Sequence, residues 1–429
     1  MSIALNMLAV TTPAVGSGGH LVLALAALLA AAKLGGHLAE RLGQPAVLGE
    51  LLGGVLLGNL DLAGLGWFRA LPNDAALAGL AELGAVVLLF EVGLESSVAD
   101  MKKVGWRSLI VAVLGVITPW ILGFLVGRVM LPDRSVYVHL FLGAALTATS
   151  VGITARVLRD LGRSQSAEAR IILGAAVIDD VLGLVILAVV GSLITAANAH
   201  TEASLASVGL VLAKALAFLF GALWLGSRLS PQLFGLTARL RGGSLLLVTA
   251  LIFCFLLSAI AAMIGLAPIV GAFAAGLVLE RVHYRDFSTR GERPLEELVQ
   301  PVSGFLVPIF FVVMGLKVEL AGLLRGDQLA LTGLVVLTAI VGKQACALGG
   351  LGAQLDRLSI GIGMIPRGEV GLIFANLGLA LTINGERIVD AALYSTIVIM
   401  VLVTTVVTPP ALQWSLRRKG GRPGGREAP

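Results

Sequence analysis

The chain has 429 residues, of which 57% are hydrophobic and only 13% charged, with 54 glycines. No soluble globular domain of this length carries such a balance, so the composition places the chain in a lipid bilayer. The net charge of +5 is carried largely by the connections between apolar runs and gives no reason to expect a nucleic-acid partner.

Apolar runs of about 17 to 25 residues, the length that crosses a hydrocarbon core, recur thirteen times along the chain. They cover approximately 19–38, 44–60, 76–97, 106–130, 137–157, 167–193, 204–226, 244–263, 265–280, 298–320, 328–352, 359–381 and 391–414. Residues 1–18 have neither a basic start nor a clear cleavage site, so the first span, rather than a removable signal peptide, is expected to direct insertion.

Orientation follows from the basic residues, because cytoplasmic connections collect Lys and Arg. When alternate connections are assigned to opposite sides, 22 of the 31 basic residues fall on one side together with the C-terminal tail. Six fall on the other: Arg69, Arg128, Arg134, Lys317, Arg325 and Arg387. Lys214, Lys343 and Arg367 lie inside spans. The N-terminus is therefore expected outside and the C-terminus in the cytoplasm. The basic, Gly- and Pro-rich residues 417–429 are expected to be a solvated tail that touches anionic lipid.

Two stretches repeat at one offset. PAVLGELLGGVLLG (45–58) aligns with APIVGAFAAGLVLE (267–280) 222 residues later, placing Gly49 over Gly271 and Gly54 over Gly276, and LFEVGL (89–94) meets FVVMGL (311–316) in the same register. The offset equals seven spans, and an odd shift reverses direction across the membrane. Spans 1–6 and 8–13 are thus expected to be inverted repeats joined by span 7, an organisation common among transporters.

Ionisable groups at membrane depth are costly and are functional candidates by default. In GAAVIDDVLG (174–183), Asp179 and Asp180 sit side by side near the middle of span 6, about 100° apart around a helix. Two buried carboxylates so close do not both ionise readily and titrate as a coupled pair, which suits them to carry exchangeable protons. A carboxylate that must release its proton to receive a small, hard cation makes proton and cation competitors for one site. Lys343, in VGKQACALGG (341–350), lies deep enough in span 11 to meet one aspartate. Such a pair would form when the aspartate is ionised and break when it is protonated.

Span 5 reads GAALTATSVGIT (143–154), with hydroxyls at Thr147, Thr149, Ser150 and Thr154, and span 12 reads GIGMIPRGEVG (361–371), with Pro366 among glycines. Both are expected to break at mid-membrane, where half-helix ends and freed carbonyls can line a cation site. Thr149 and Ser150 are candidate ligands, although hydroxyls on helices can instead bond back to the preceding turn. Arg367 and Glu369 are candidates to neutralise half-helix dipoles or each other, and Glu91 to face a cytoplasmic funnel. Cys254 and Cys346 fall inside spans, where neither a disulfide nor a usual Cys/His metal site is expected. Both are assigned to packing.

The motifs GELLGGVLLG (49–58), LLFEVGLE (88–95), TATSVGIT, VIDD, PIFFVVMGL (308–316), VGK and IPRGEVGLI (365–373) together resemble the monovalent cation:proton antiporter superfamily, in particular its paired-aspartate bacterial sodium/proton antiporters. The resemblance implies an all-helical inner-membrane fold of two inverted repeats and crossed broken helices, working as a homodimer without a cofactor. A dimerisation domain would comprise residues 1–105 and 194–325, and a core moving like an elevator residues 106–193 and 326–416. By the same likeness Asp180 is the principal site for sodium or lithium and for protons. Asp179 is its neighbour paired with Lys343, Thr149 and Ser150 lie at the crossing, and exchange is electrogenic at two protons per cation. Glu91 departs from the apolar residue many relatives carry there.

Three other readings compete. A potassium/proton exchanger of the Kef type shares the membrane part but usually adds a cytoplasmic nucleotide-binding domain. An intramembrane aspartyl protease needs acids converging from separate helices, with a GxGD context that does not occur in this chain. A passive channel needs rings of pore-lining polar groups and no obligatory protonation.

Overall fold

The computed structural model of the protein describes residues 17–63, 71–95, 105–150, 154–155, 157–158, 161, 163, 166–198, 205–237, 245–279, 293–323, 326–351, 355–383 and 385–420. Fourteen helices carry the architecture: α1 (Ser17–Arg41), α2 (Ala46–Gly58), α3 (Ala75–Glu95), α4 (Trp106–Met130), α5 (Val136–Ala145), α6 (Ala167–Asn198), α7 (Leu205–Thr237), α8 (Leu245–Met263), α9 (Pro268–Val278), α10 (Leu295–Leu316), α11 (Gly326–Gln344), α12 (Arg357–Gly363), α13 (Glu369–Ala380) and α14 (Ala391–Gly420). These helices are consistent with the thirteen expected spans, span 12 being covered by the pair α12 and α13 and only the first part of span 5 by α5. Among the described residues eight helices are long and apolar enough to cross a bilayer, and four shorter apolar ones accompany them.

The two expected breaks are present. The helix of span 5 ends at Ala145, and Ala148–Ser150 lie outside any helix. Span 12 is interrupted between Gly363 and Glu369, where Pro366 cannot supply a helical N–H. Two features depart from a purely helical reading. Thr382–Ile383 and Glu386–Arg387 pair as an antiparallel ribbon between α13 and α14, with Gly385 in its turn at φ +85°, a conformation glycine adopts without strain. The last helix runs on to Gly420, four residues into the stretch expected to be a tail, with Leu416 buried and Arg418 over the Trp414 ring. Residues 421–429 lie outside the described residues.

Backbone contacts establish the inverted repeat more firmly than the sequence could. A β-carbon on Gly54 of α2 would collide with the Val312 carbonyl oxygen of α10, and one on Gly276 of α9 with the Phe90 carbonyl oxygen of α3. Adding 222 to Gly54 gives Gly276, and subtracting it from Val312 gives Phe90. The reciprocal contacts obey the same rule: Gly315 meets the Leu51 carbonyl and Gly93 meets that of Phe273. Gly49 against Gly35, between α1 and α2, becomes Gly271 against Leu257, between α8 and α9. Close approach of backbones through small residues is how membrane helices associate when no hydrophobic drive separates them from lipid.

Candidate functional site

Helix α6 packs against α4, α5 and α12 and carries Asp179 and Asp180 within this bundle. Asp179 is 0% and Asp180 6% exposed. Lys343, in the last turn of α11, is also 0% exposed, and its Nζ donates to both Asp179 carboxylate oxygens at 3.3 Å. The lysine fits because α4 has a glycine opposite it. A β-carbon on Gly115 would lie 3.2 Å from Lys343 Nζ and 3.0 Å from Cys346 Sγ. Cys254 and Cys346 are both free and buried.

The two broken spans meet directly. The Ser150 amide donates to the Pro366 carbonyl at 2.8 Å, and a β-carbon on Gly368 would stand 2.6 Å from Ser150 Oγ. Thr154 Oγ1, beyond the first break, donates to the Gly363 carbonyl at the end of α12, at 2.7 Å. Non-helical chain at membrane depth exposes backbone groups that must be satisfied by protein, and Arg367 does much of this. Fully buried, it donates from NH1 to the Ala148 carbonyl at 2.8 Å and from NH2 to the Ala339 carbonyl of α11 at 3.2 Å. A guanidinium reaches two separate carbonyls because its donors are held in a planar fork. Thr404 and Thr405 of α14 complete the lining: the Arg367 amide donates to Thr404 Oγ1 and Thr405 Oγ1 donates to the Arg367 carbonyl.

Arg367 therefore bonds the carbonyl end of the α5 break, and the side chain of Glu369 lies outside the described residues. The hydroxyls of span 5 divide. Thr147 bonds back to Ala144 at 2.8 Å, whereas Thr149 Oγ1 is buried with no protein partner. Glu91 stands apart from the crossing, half-buried between α3 and α10, accepting a 2.6 Å hydrogen bond from Ser303 Oγ. Sequence reading had not singled out Gly115, Gly368, Thr404 or Thr405. The adjacent Thr-Thr pair in the last span was the available signal for the last two.

The repeat is chemically one-sided here. Asp179 and Asp180 come from the first half of the chain and Lys343 and Arg367 from the second, while both halves bring hydroxyls to the crossing.

A multi-pass bundle of two inverted repeats, with broken helices crossing beside buried charges, defines a secondary transporter rather than an enzyme. The sequence profile of the family described as sodium/hydrogen exchanger, transmembrane, matches residues 24–418, and the chain belongs to this monovalent cation:proton antiporter family. It is 38% identical over 426 residues to the high-affinity Na(+)/H(+) antiporter NhaS3 of Synechocystis sp., with 91% of this chain and 89% of that one covered. It is 34% identical over 403 residues to the Na(+)/H(+)-K(+) antiporter GerN of Bacillus cereus, covering 92% and 96%. The fold matches the sodium proton antiporter MjNhaP1 of Methanocaldococcus jannaschii with a TM-score of 0.69 at 19% identity, over 93% of this chain and 99% of that one.

Proposed function

We propose that the protein is an electrogenic sodium- or lithium-for-proton antiporter of the bacterial inner membrane, in which cation and protons compete for Asp180 and Asp179. The observation that carries this reading is the fully buried Lys343–Asp179 pair beside Asp180. Desolvating charges is expensive unless each is compensated, and Lys343 and Arg367 compensate Asp179 and Asp180 when both acids are ionised. In the proposed exchange both acids start protonated; they release two protons and one cation takes their place, so each cycle moves net charge.

Thr149 and Ser150 at the crossing complete the proposed coordination, with the unpartnered Thr149 hydroxyl in support. The working unit is taken to be a homodimer with its N-terminus outside, residues 1–105 and 194–325 forming the static part. Residues 106–193 and 326–416 form an elevator-like core. Glu91, bonded to Ser303 within the static part, is given a role in admitting cations from the cytoplasm. No cofactor enters the scheme.

The test is purified protein in liposomes, following internal pH after addition of sodium, lithium or potassium, with and without a clamped membrane potential. Potential-dependent proton movement driven by sodium or lithium is expected, and Asp180→Asn should abolish it. Exchange surviving in Asp180→Asn would remove the site assignment. A second reading, potassium/proton exchange, draws on the relative GerN, whose name includes potassium. A response to potassium alone would put it first.

A further inference from the structure

The seam between the static part and the core differs at its two ends. At the end that the basic residues assign to the outside, the C-terminus of α10 is tied to the core by three hydrogen bonds. Tyr394 OH donates to the Met314 carbonyl at 2.7 Å, the Glu319 amide to Ser395 Oγ at 2.9 Å, and Lys317 Nζ to Asn376 Oδ1 at 2.7 Å. Lys317, Glu319, Asn376 and Arg387 line a cavity of about 690 Å³ there, together with Asp61 and Glu82. Towards the cytoplasmic end, an apolar cavity of about 190 Å³ separates Leu48 and Leu51 of α2 from Ser150 and Gly368 at the crossing.

The three outer bonds are not equivalent. Tyr394 and Ser395 sit in the first turns of α14 and bond the backbone on either side of Lys317, close to the covalent joint between α10 and α11. Bonds beside a joint can persist while the parts turn about it. Lys317 instead sends its side chain across the cavity to α13, the half-helix that follows the crossing. If the core shifts against α10, this bond breaks.

We propose that Lys317 is the outer latch of the transporter: bonded to Asn376, it holds the outer seam shut and keeps a tethered positive charge in the acid-lined mouth, so that loading from outside requires its withdrawal. This rests on the proposal that the core moves against the static part. Asp61, Glu82 and Glu319 suit the mouth to collecting cations, and the ammonium in their midst occupies the place a free cation would seek. Lys317 acts as a positioning residue rather than a ligand of the transported ion.

The experiment uses the full chain in liposomes carrying Leu379→Cys, a half-buried position lining the outer cavity, against a background in which both native cysteines are buried. A membrane-impermeant maleimide reports exposure of the cavity, and sodium titrated at the outer face reports apparent KM. A hydrogen bond to a charged group is strong enough to hold about a tenfold population ratio. Lys317→Gln and Asn376→Ala are expected to raise the labelling rate about tenfold and lower the outer KM while leaving the inner KM in place. Asn376→Asp, which strengthens the pair, should label more slowly than the wild type, and Lys317→Arg should restore wild-type labelling. Wild-type labelling and outer KM in both Asn376 variants would overturn the latch. Labelling needs no transport, so a protein that exchanges no cation would remove the antiport reading and still leave the latch to be decided by the maleimide rates.

Discussion

Lys343 owes its position to Gly115: across the α4–α11 contact, the ammonium fills the space a side chain at residue 115 would take. Gly115→Val is expected to push Nζ away from Asp179 and to overpack the site at a cost of about 1–3 kcal/mol, lowering the detergent melting temperature and suppressing exchange. In a Lys343→Ala background the same valine should cost little further stability, because the two changes act on one space. Additive losses in the double-mutant cycle would show that Gly115 serves something other than the lysine.

Removing one member of the buried pair is expected to be worse for stability than removing both. Lys343→Ala leaves the Asp179 carboxylate buried beside an empty space and should cost about 3–5 kcal/mol, besides weakening the pH response of exchange or making it less electrogenic. Asp179→Asn combined with Lys343→Met removes both charges and should recover most of the lost stability without recovering transport. Thermal unfolding and proton flux measured on the same preparations separate the two effects.

Arg367→Lys tests whether the crossing depends on the planar fork. One ammonium on a flexible stem does not reproduce donation to both the Ala148 and Ala339 carbonyls, and the lost charged hydrogen bond should cost about 1.5–3 kcal/mol. The Ser150 amide, which bonds Pro366, should then exchange its hydrogen faster. Unchanged protection at Ser150 would mean that the two breaks hold each other without the arginine.

The repeat makes a paired prediction. Gly54→Ala and Gly276→Ala place a methyl against equivalent carbonyls and should destabilise the protein to similar extents, about 2–3 kcal/mol each. Gly79→Ala, in the exposed first half of α3 where nothing stands within 4 Å, should be neutral or stabilising by about 0.5–1 kcal/mol. Unequal melting temperatures for the first two would show that the halves, though alike in backbone, have come to carry different loads.

Much of this molecule was legible in its sequence because the bilayer enforces local rules. Apolar run length and breaks at Gly- and Pro-rich segments each follow from what lipid permits. Asp179, Asp180, Lys343 and Arg367 stood out because a charge inside a span needs a reason. What stayed hidden depends on tertiary approach. Gly115 is one glycine among 54 and gains meaning only when Lys343 is seen to face it. Lys317 read as a topological marker at a span end, since nothing local announces a partner at Asn376. Thr404 is back-bonded like Thr147, to the Met400 carbonyl, and only the path of α14 past Arg367 shows that its oxygen also accepts from the Arg367 amide and that Thr405 donates to the Arg367 carbonyl.

At Gly54 with Gly315, and again at Gly93 with Gly276, helices touch carbonyl to α-carbon with no side chain between them. Such a contact has no bearing surface: there are no rotamers to exchange and no methyl groups to slide past one another. α2, α3, α9 and α10 are in this respect welded at two symmetry-related points. On the proposed elevator reading they would be the stator, and any stroke would fall at the seam with the core, where side chains and cavities stand in place of backbone.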